Sequence, residues 1–456
     1  MKRLLFAILS LSTVTIPTIA RAAEWKTSFG AELEAEALYY PGGPFGADDQ
    51  TVRGIFSAKL PSTVRYGRAF RFRALPYVQY DPWNASSREH LYLDAPEGYF
   101  QYQALPFTFQ VGLNVFTWGD TDVFNPLDVV NPRRYYDPLR SEKVGTPAVV
   151  VKREFENFFV EGVYIPVQRR TYLPGENSRW LPRDVYRLRS LGTSEGAVRL
   201  NLPSNIAYSY VEPDQTGNAL RNNFGGRIKF RLPGFDWTIA GFQGASITPE
   251  VGPKEIGIRS ISVVGGVKTF DVYPDVALQA TSYPIRMTGT SFTWDTLGFL
   301  VKGAVAYTHV LNRPDADRIA NPELRKLGLP SRLWESVLAA ERTFSVGSGS
   351  LTALAQATRV ERGDNLDTNS ISIARMFERA GMGALRWAPD EGTTVLASYL
   401  RDFKFKGSLW HIEGSYKIRD GWRAKVSGDI LSGNTETPIG TYGANDRVTV
   451  SLAATF

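Results

Sequence analysis

The sequence contains no cysteine, only three histidines, and no apolar run approaching the roughly 18 residues of a membrane-spanning helix. Lacking cysteine, it can form no disulfide, no thiolate metal site and no thiol nucleophile. A chain crossing an oxidising compartment also gains from having no thiol to oxidise. His90, His309 and His411 sit in no motif with a serine nucleophile or a metal partner, which leaves little basis for hydrolytic or metal chemistry. No linker or change of composition divides the 456 residues, so one large sheet fits better than several soluble domains.

What is present begins with an export signal. Lys2 and Arg3 precede a short apolar stretch, Leu4 to Ile16, and Ala20-Arg21-Ala22 is a small-x-small cleavage site. Residues 1–22 are therefore expected to be removed, leaving 23–456 as the mature chain. Three basic residues leave with that segment and no acid does, so the net charge falls from +6 to +3. So small an excess does not suggest nucleic acid as a partner.

The organising pattern is alternation with a period of two. Trp25, Phe29, Leu33, Ala35, Ala37 and Tyr39 lie on one face of an extended segment, and Lys26, Ser28, Glu32, Glu34 and Glu36 on the other. Ile228, Phe230 and Leu232 alternate with Arg227, Lys229 and Arg231. Trp410, Ile412, Tyr416 and Ile418 alternate with His411, Glu413, Ser415 and Lys417. Such segments fit a sheet with lipid on one side and water on the other. The expected fold is all-β: a single antiparallel transmembrane barrel of about 22 strands, range 16–22.

The connections alternate in length. Short turns are expected at Leu105-Pro106, Glu156-Asn157, Pro203-Ser204, Pro233-Gly234, Tyr273-Pro274, 295–298, 389–392 and 419–421. Longer polar stretches lie at 41–49, 81–88, 119–146, 168–194, 213–222, 245–259, 311–331 and 433–445. Short periplasmic turns and long outer loops place both termini on the periplasmic side, with an even strand count. Tyr39, Tyr40, Tyr80, Trp83, Trp118, Tyr399, Trp410 and Trp422 near strand ends suit the headgroup level.

The last ten residues alternate Arg447, Thr449, Ser451, Ala453 and Thr455 with Val448, Val450, Leu452, Ala454 and the terminal Phe456. This resembles the C-terminal signature of Gram-negative outer-membrane proteins. The resemblance implies that Phe456 is read by the barrel-assembly machinery. The stretch WGDTDVFNPLDVVNPRR, beginning at Trp118, resembles a loop of porin-like outer-membrane barrels of poorly defined function; GTYGANDRV at 440–448 does so more loosely. In general porins the loop after the fifth strand narrows the pore, and 119–146 follows the fifth expected strand.

Two groups of candidate functional residues follow. In the loop, Asp120, Asp122 and Asp128 supply acceptors, and Arg133, Arg134 and Arg140 supply forked donors. They could pin the loop to the wall, line a constriction, or, for the three aspartates, hold calcium. On the wall, Glu32, Glu34, Glu36, Arg53, Lys59, Arg71, Arg73, Arg227, Lys229, Arg231, His411 and Glu413 are candidates to line the lumen. Acid and base on facing walls would set a transverse field; equally, any wet lumen needs polar residues that pair across strands. His411, Glu413 and Asp429 could meet as an acid–base group, but no enzyme and no cofactor are expected. The arginines at 169, 170, 179, 183, 187 and 189, with Trp180 and Tyr186 among them, suit an outer loop near anionic lipopolysaccharide or one folded over the mouth.

The resulting expectation is an outer-membrane pore for passive diffusion of small hydrophilic solutes, as a monomer or homotrimer. Alternation starting at Trp25 leaves no room for an N-terminal plug, which weighs against energised uptake. The alternative is a dedicated barrel for lipid or polysaccharide export with periplasmic or inner-membrane partners.

Overall fold

The structure, a computed structural model, describes residues 24–44, 49–181, 197–201, 206–313, 330–363, 373–435 and 437–456. The expected export signal, the Pro203-Ser204 turn, and Arg183, Tyr186, Arg187 and Arg189 lie outside the described residues.

The chain is all-β, and its main sheet contains 22 antiparallel strand segments. Eight of these segments are halves of four interrupted staves, so the wall has 18 staves among the described residues. The interrupted ones are β1 (Trp25–Phe29 with Glu32–Tyr39), β2 (Val52–Lys59 with Ser62–Tyr66), β3 (Phe70–Ala74 with Tyr77–Tyr80) and β4 (Leu91–Asp94 with Gly98–Ala104). Next come β5 (Phe107–Asn114), β6 (Thr146–Glu154), β7 (Phe158–Val167), β8 (Arg221–Leu232) and β9 (Phe235–Ala245). Then follow β10 (Pro284–Thr296), β11 (Phe299–Val310), β12 (Arg332–Val346), β13 (Gly349–Arg362) and β14 (Arg379–Ala388). The last are β15 (Thr393–Asp402), β16 (Ser408–Arg419), β17 (Trp422–Ser432) and β18 (Arg447–Thr455).

Each stave pairs with its neighbours in sequence, and β18 pairs with β1 from Glu32↔Thr455 to Tyr39↔Val448. The ladder therefore returns to its start, and no edge is left to hydrogen-bond in lipid. The four interruptions have one cause. Pro61, Pro76 and Pro96 fall side by side on β2, β3 and β4, and a proline has no N–H to give the ladder. The backbone bridges the gap with Gly30 N–H to Pro61 O, Leu60 N–H to Pro76 O and Leu75 N–H to Glu97 O.

Among the described residues, eight short turns lie at one end together with Glu24 and Phe456, and the stave ends that the nine longer connections join lie at the other. Outward side chains form an apolar belt. On β11 it runs from Phe299 to His309; ten residues at about 3.3 Å each, tilted about 40°, give a height of about 25 Å, the thickness of a bilayer core. Aromatic contacts ring its turn end: Trp25 on Tyr66, Phe70 on Tyr102, Phe158 on Phe230 and Phe230 on Trp237.

Two expectations require correction. Tyr273-Pro274 is no turn but lies inside the strand Val267–Ser282. That strand and Glu250–Val264 form a hairpin outside the wall, in a separate five-stranded sheet. Both strands are extended and paired there, so alternation alone could not tell them from staves. Tyr40 and Trp118 are not headgroup aromatics either: both are buried inside, at 1% and 0% exposure.

Candidate functional site

The connection between β5 and β6, residues 115–145, lies within the lumen. Phe116, Trp118, Leu127, Val129 and Val130 pack against the inward-facing Ala148, Val150, Val163, Ile165, Ala240, Phe242, Met287, Ala304, Ala306 and Val337. The lumen faces of β6, β7 and β9 to β12 thus each present an apolar patch to the loop. Burying a side chain of this size contributes roughly 1.5–3 kcal/mol, so the cluster outweighs any single polar contact of the loop.

Local chemistry gives the loop its shape. Gly119 takes a left-handed φ of +79°, and a Cβ there would come within 2.4 Å of Asn125 Oδ1. Asn125 donates to Trp118 O at 2.7 Å and accepts from Leu127 N–H at 3.1 Å. Asn131 accepts from Phe116 N–H at 2.6 Å and donates to Asn114 O, Val144 O and Thr146 Oγ1. Asp128 binds Arg133 at 2.6 Å and Lys143 at 2.7 Å. Asn125-Pro126 of the sequence pattern therefore makes a turn, and Asn131 ties the two ends of the loop together.

Charge then fixes it to opposite walls. The acidic limb meets basic staves: Asp120 binds Lys229 of β8, and Asp122 binds Lys302 of β11, each at 2.8 Å. Trp118 Nε1–H donates to Glu161 of β7 at 3.1 Å, and Arg227 holds Glu161 at 2.9 Å while donating to Thr117 O at 2.8 Å. The other limb reaches across. Arg140 binds Glu36 of β1 at 2.8 Å and Thr449 of β18 at 3.1 Å. Arg134 binds Glu142 at 2.6 Å and Gln79 of β3 at 2.9 Å, with its guanidinium 4.2 Å from the Tyr92 ring centre. Asp137 pairs with Arg447, which binds Asp429 at 2.6 Å; His411 binds the other oxygen of Asp429 at 2.7 Å. In a ring of 18, β1 and β11 stand nearly opposite, so the loop spans the lumen.

Not every candidate residue meets the loop. Arg53 is buried under the outer rim, paired with Asp81. Arg73 pairs with Glu97, and Arg71 faces the lumen beside it. Arg231, with Glu154 at 3.9 Å, stands at the turn end. Glu32, Glu34 and Glu413 face the lumen on its turn side, where Lys425 lies 3.9 Å from both Glu34 and Glu413. Asp120, Asp122 and Asp128 do not converge: each carboxylate goes to a different cation, which rules out the calcium arrangement the sequence left open.

A second layer lies above the loop. Arg179, 2% exposed, binds Asp49 at 2.7 Å, Asn445 and the carbonyls of Gly43 and Ala444, and sits 3.8 Å from the Tyr40 ring centre. Trp180 packs with Met376, Leu400, Leu431, Ile439 and Tyr442, with Leu139 of the lumen loop against them. The described part of 168–194 is thus folded over the mouth. Glu89 accepts from Asn84 and Gly175, joining this segment to the connection 81–90. Burial pushes the Glu89 carboxyl up to about 7, against those hydrogen bonds and Arg53. Burial also raises Glu378, but Arg375, Arg362 and Lys404 more than offset it and hold the carboxyl at about 2.

Sequence reasoning missed Lys302, Glu161, Asp137, Arg447 and the Phe124–Phe377 stack at 5.3 Å. The available signal was the loss of alternation on β6, where Val149, Val150 and Val151 are apolar on both faces.

No protein-family description and no curated protein matches this sequence. Solved structures do. A loop-deletion form of OmpT, an outer-membrane protein of Vibrio cholerae, is 10% identical, with 95% of this chain and 99% of that chain covered and a TM-score of 0.40. A mutant of the Rh. blastica porin is 14% identical, with 94% and 100% covered and a TM-score of 0.37.

Proposed function

We propose that this chain is an outer-membrane channel through which small hydrophilic solutes diffuse passively, narrowed by the loop 115–145. One observation carries the reading: a loop bound by opposite charges to opposite walls crosses a lumen whose turn-side half is lined by partly exposed charged residues. Such a bore favours small polar solutes over apolar ones. On this reading both termini are periplasmic, the chain is not an enzyme, and His411 serves as a tie between β16, β17 and β18. Lipopolysaccharide surrounds the outer rim, the assembly machinery reads Phe456, and the barrel works alone or as a homotrimer.

The layer packed over the mouth favours a second reading, an export barrel for lipid or polysaccharide that opens with a periplasmic partner. Purified protein in planar bilayers separates the two. Stepwise conductance without any partner supports the diffusion channel; silence broken only by a partner supports the export barrel.

A further inference from the structure

Away from the lumen, the belt carries a trough. One row of outward positions runs across six staves: Gly162, Gly226, Gly241, Thr288, Tyr307 and Trp334 are successive cross-strand partners from β7 to β12. With almost no side chain at its start and the Tyr307–Trp334 ring pair, 4.8 Å apart, at its end, the row is a groove of about 640 Å³. Val160, Ile228, Ile239 and Val305 form its bank toward the turns.

The row on its other bank is cationic. Gln243, Arg286, His309 and Arg332 are cross-strand partners, one outward step closer to the long connections. Arg286, His309 and Arg332 are exposed. Arg286 donates twice to Gln243 Oε1, at 3.1 and 2.9 Å. Among the described residues neither Arg286 nor Arg332 has a carboxylate within 4.0 Å, whereas Arg359, on the next stave, pairs with Glu361. Two guanidinium groups at the headgroup level of the outer leaflet, without acidic partners, stand directly above an apolar groove.

We propose that this face binds one phosphorylated lipid of the outer leaflet, its phosphate on Arg286 and Arg332 and an acyl chain along the glycine trough. Guanidinium groups match phosphate oxygens with paired N–H donors. The trough adds shape: bulk lipid is as apolar as the protein wall, so a chain gains there by close packing over small residues. A second copy of this chain would not answer the charge, since it would present the same cations or an apolar belt. The proposal rests on the membrane-spanning fold and on the outward-facing long connections of the reading above, and is independent of whether the lumen conducts.

The test is native mass spectrometry of the full chain in mild detergent, titrated with bis-phosphorylated lipid A and, separately, with its dephosphorylated form. One lipid A is expected per chain, with the dephosphorylated form bound at least tenfold more weakly. The double variant Arg286→Gln, Arg332→Gln and the trough variant Gly241→Leu are each expected to lose at least tenfold. A Cβ on Gly241 meets nothing closer than 3.8 Å, so this variant keeps the ladder, which far-UV circular dichroism checks. Equal binding of both lipids, unchanged binding in either folded variant, or a protein oligomer that excludes lipid A would each overturn the proposal.

Discussion

Replacing Trp118 by alanine is expected to release the lumen loop without unfolding the barrel. Trp118 has no solvent exposure, meets Phe242 edge-on at 6.4 Å and donates to Glu161. Its seat is tight: a Cβ on Gly225 would lie 2.8 Å from the Trp118 ring. Truncating a buried Trp costs about 3–5 kcal/mol. Glu161 keeps Arg227 as partner, so no carboxylate is left buried alone. The wall is held by its own ladder, and the whole loss falls on the docked loop. At 1.4 kcal/mol per tenfold, the docked-to-released ratio falls by about two to three and a half orders of magnitude. In planar bilayers the variant should show larger and noisier conductance steps than the parent. Hydrogen exchange should show lost protection of amides 116–131 and unchanged protection of β10 to β13. Unaltered conductance together with intact loop protection in a folded variant would refute the reasoning.

Three further expectations follow from the same geometry. Lys302→Met leaves Asp122 and Glu341 without their shared cation, and Lys229→Met does so for Asp120 and Asp236; together they should move the reversal potential in a KCl gradient toward cation selectivity and weaken loop protection. Because the Glu89 carboxyl titrates near 7 in the folded chain and lower when unfolded, the contact between 81–90 and 168–181 is strongest below about pH 4.5 and weakens as pH rises through 7; Glu89→Gln should flatten that dependence, read by hydrogen exchange at residues 173–178. Glu378 works in the other direction: its contribution is full above about pH 4.5 and is lost as pH falls toward 2, so Glu378→Gln should lower the melting temperature at pH 7 far more than at pH 2.5.

The wall was legible because a lipid-facing stave must alternate, and β1, β8, β16 and β18 do so residue by residue. The turn chemistry of Pro233-Gly234 and 419–421 located hairpins for the same local reason. The hairpin Glu250–Val264 with Val267–Ser282 was not separable, since strands outside the wall obey the same period. Segmentation also could not foresee that Pro61, Pro76 and Pro96 would interrupt staves without ending them. In the loop, the sequence showed which residues carry charge but not which wall each would meet. Asp122 and Lys302 are 180 positions apart, and only ring closure brings them together. Trp118 was misplaced because an aromatic near a strand end suits the headgroup level and a lumen core equally well; the apolar patches inside β6, β7 and β9 to β12 decide between them.

The most direct measurement is a cross-link across the lumen. The chain has no cysteine, so Asp122→Cys with Lys302→Cys gives a unique pair. With the loop seated inside, a short bismaleimide should join the two in intact cells, and the joined protein should still conduct. Failure to cross-link, with the cysteine at 122 freely labelled from outside by an impermeant reagent, would contradict a loop folded within the barrel.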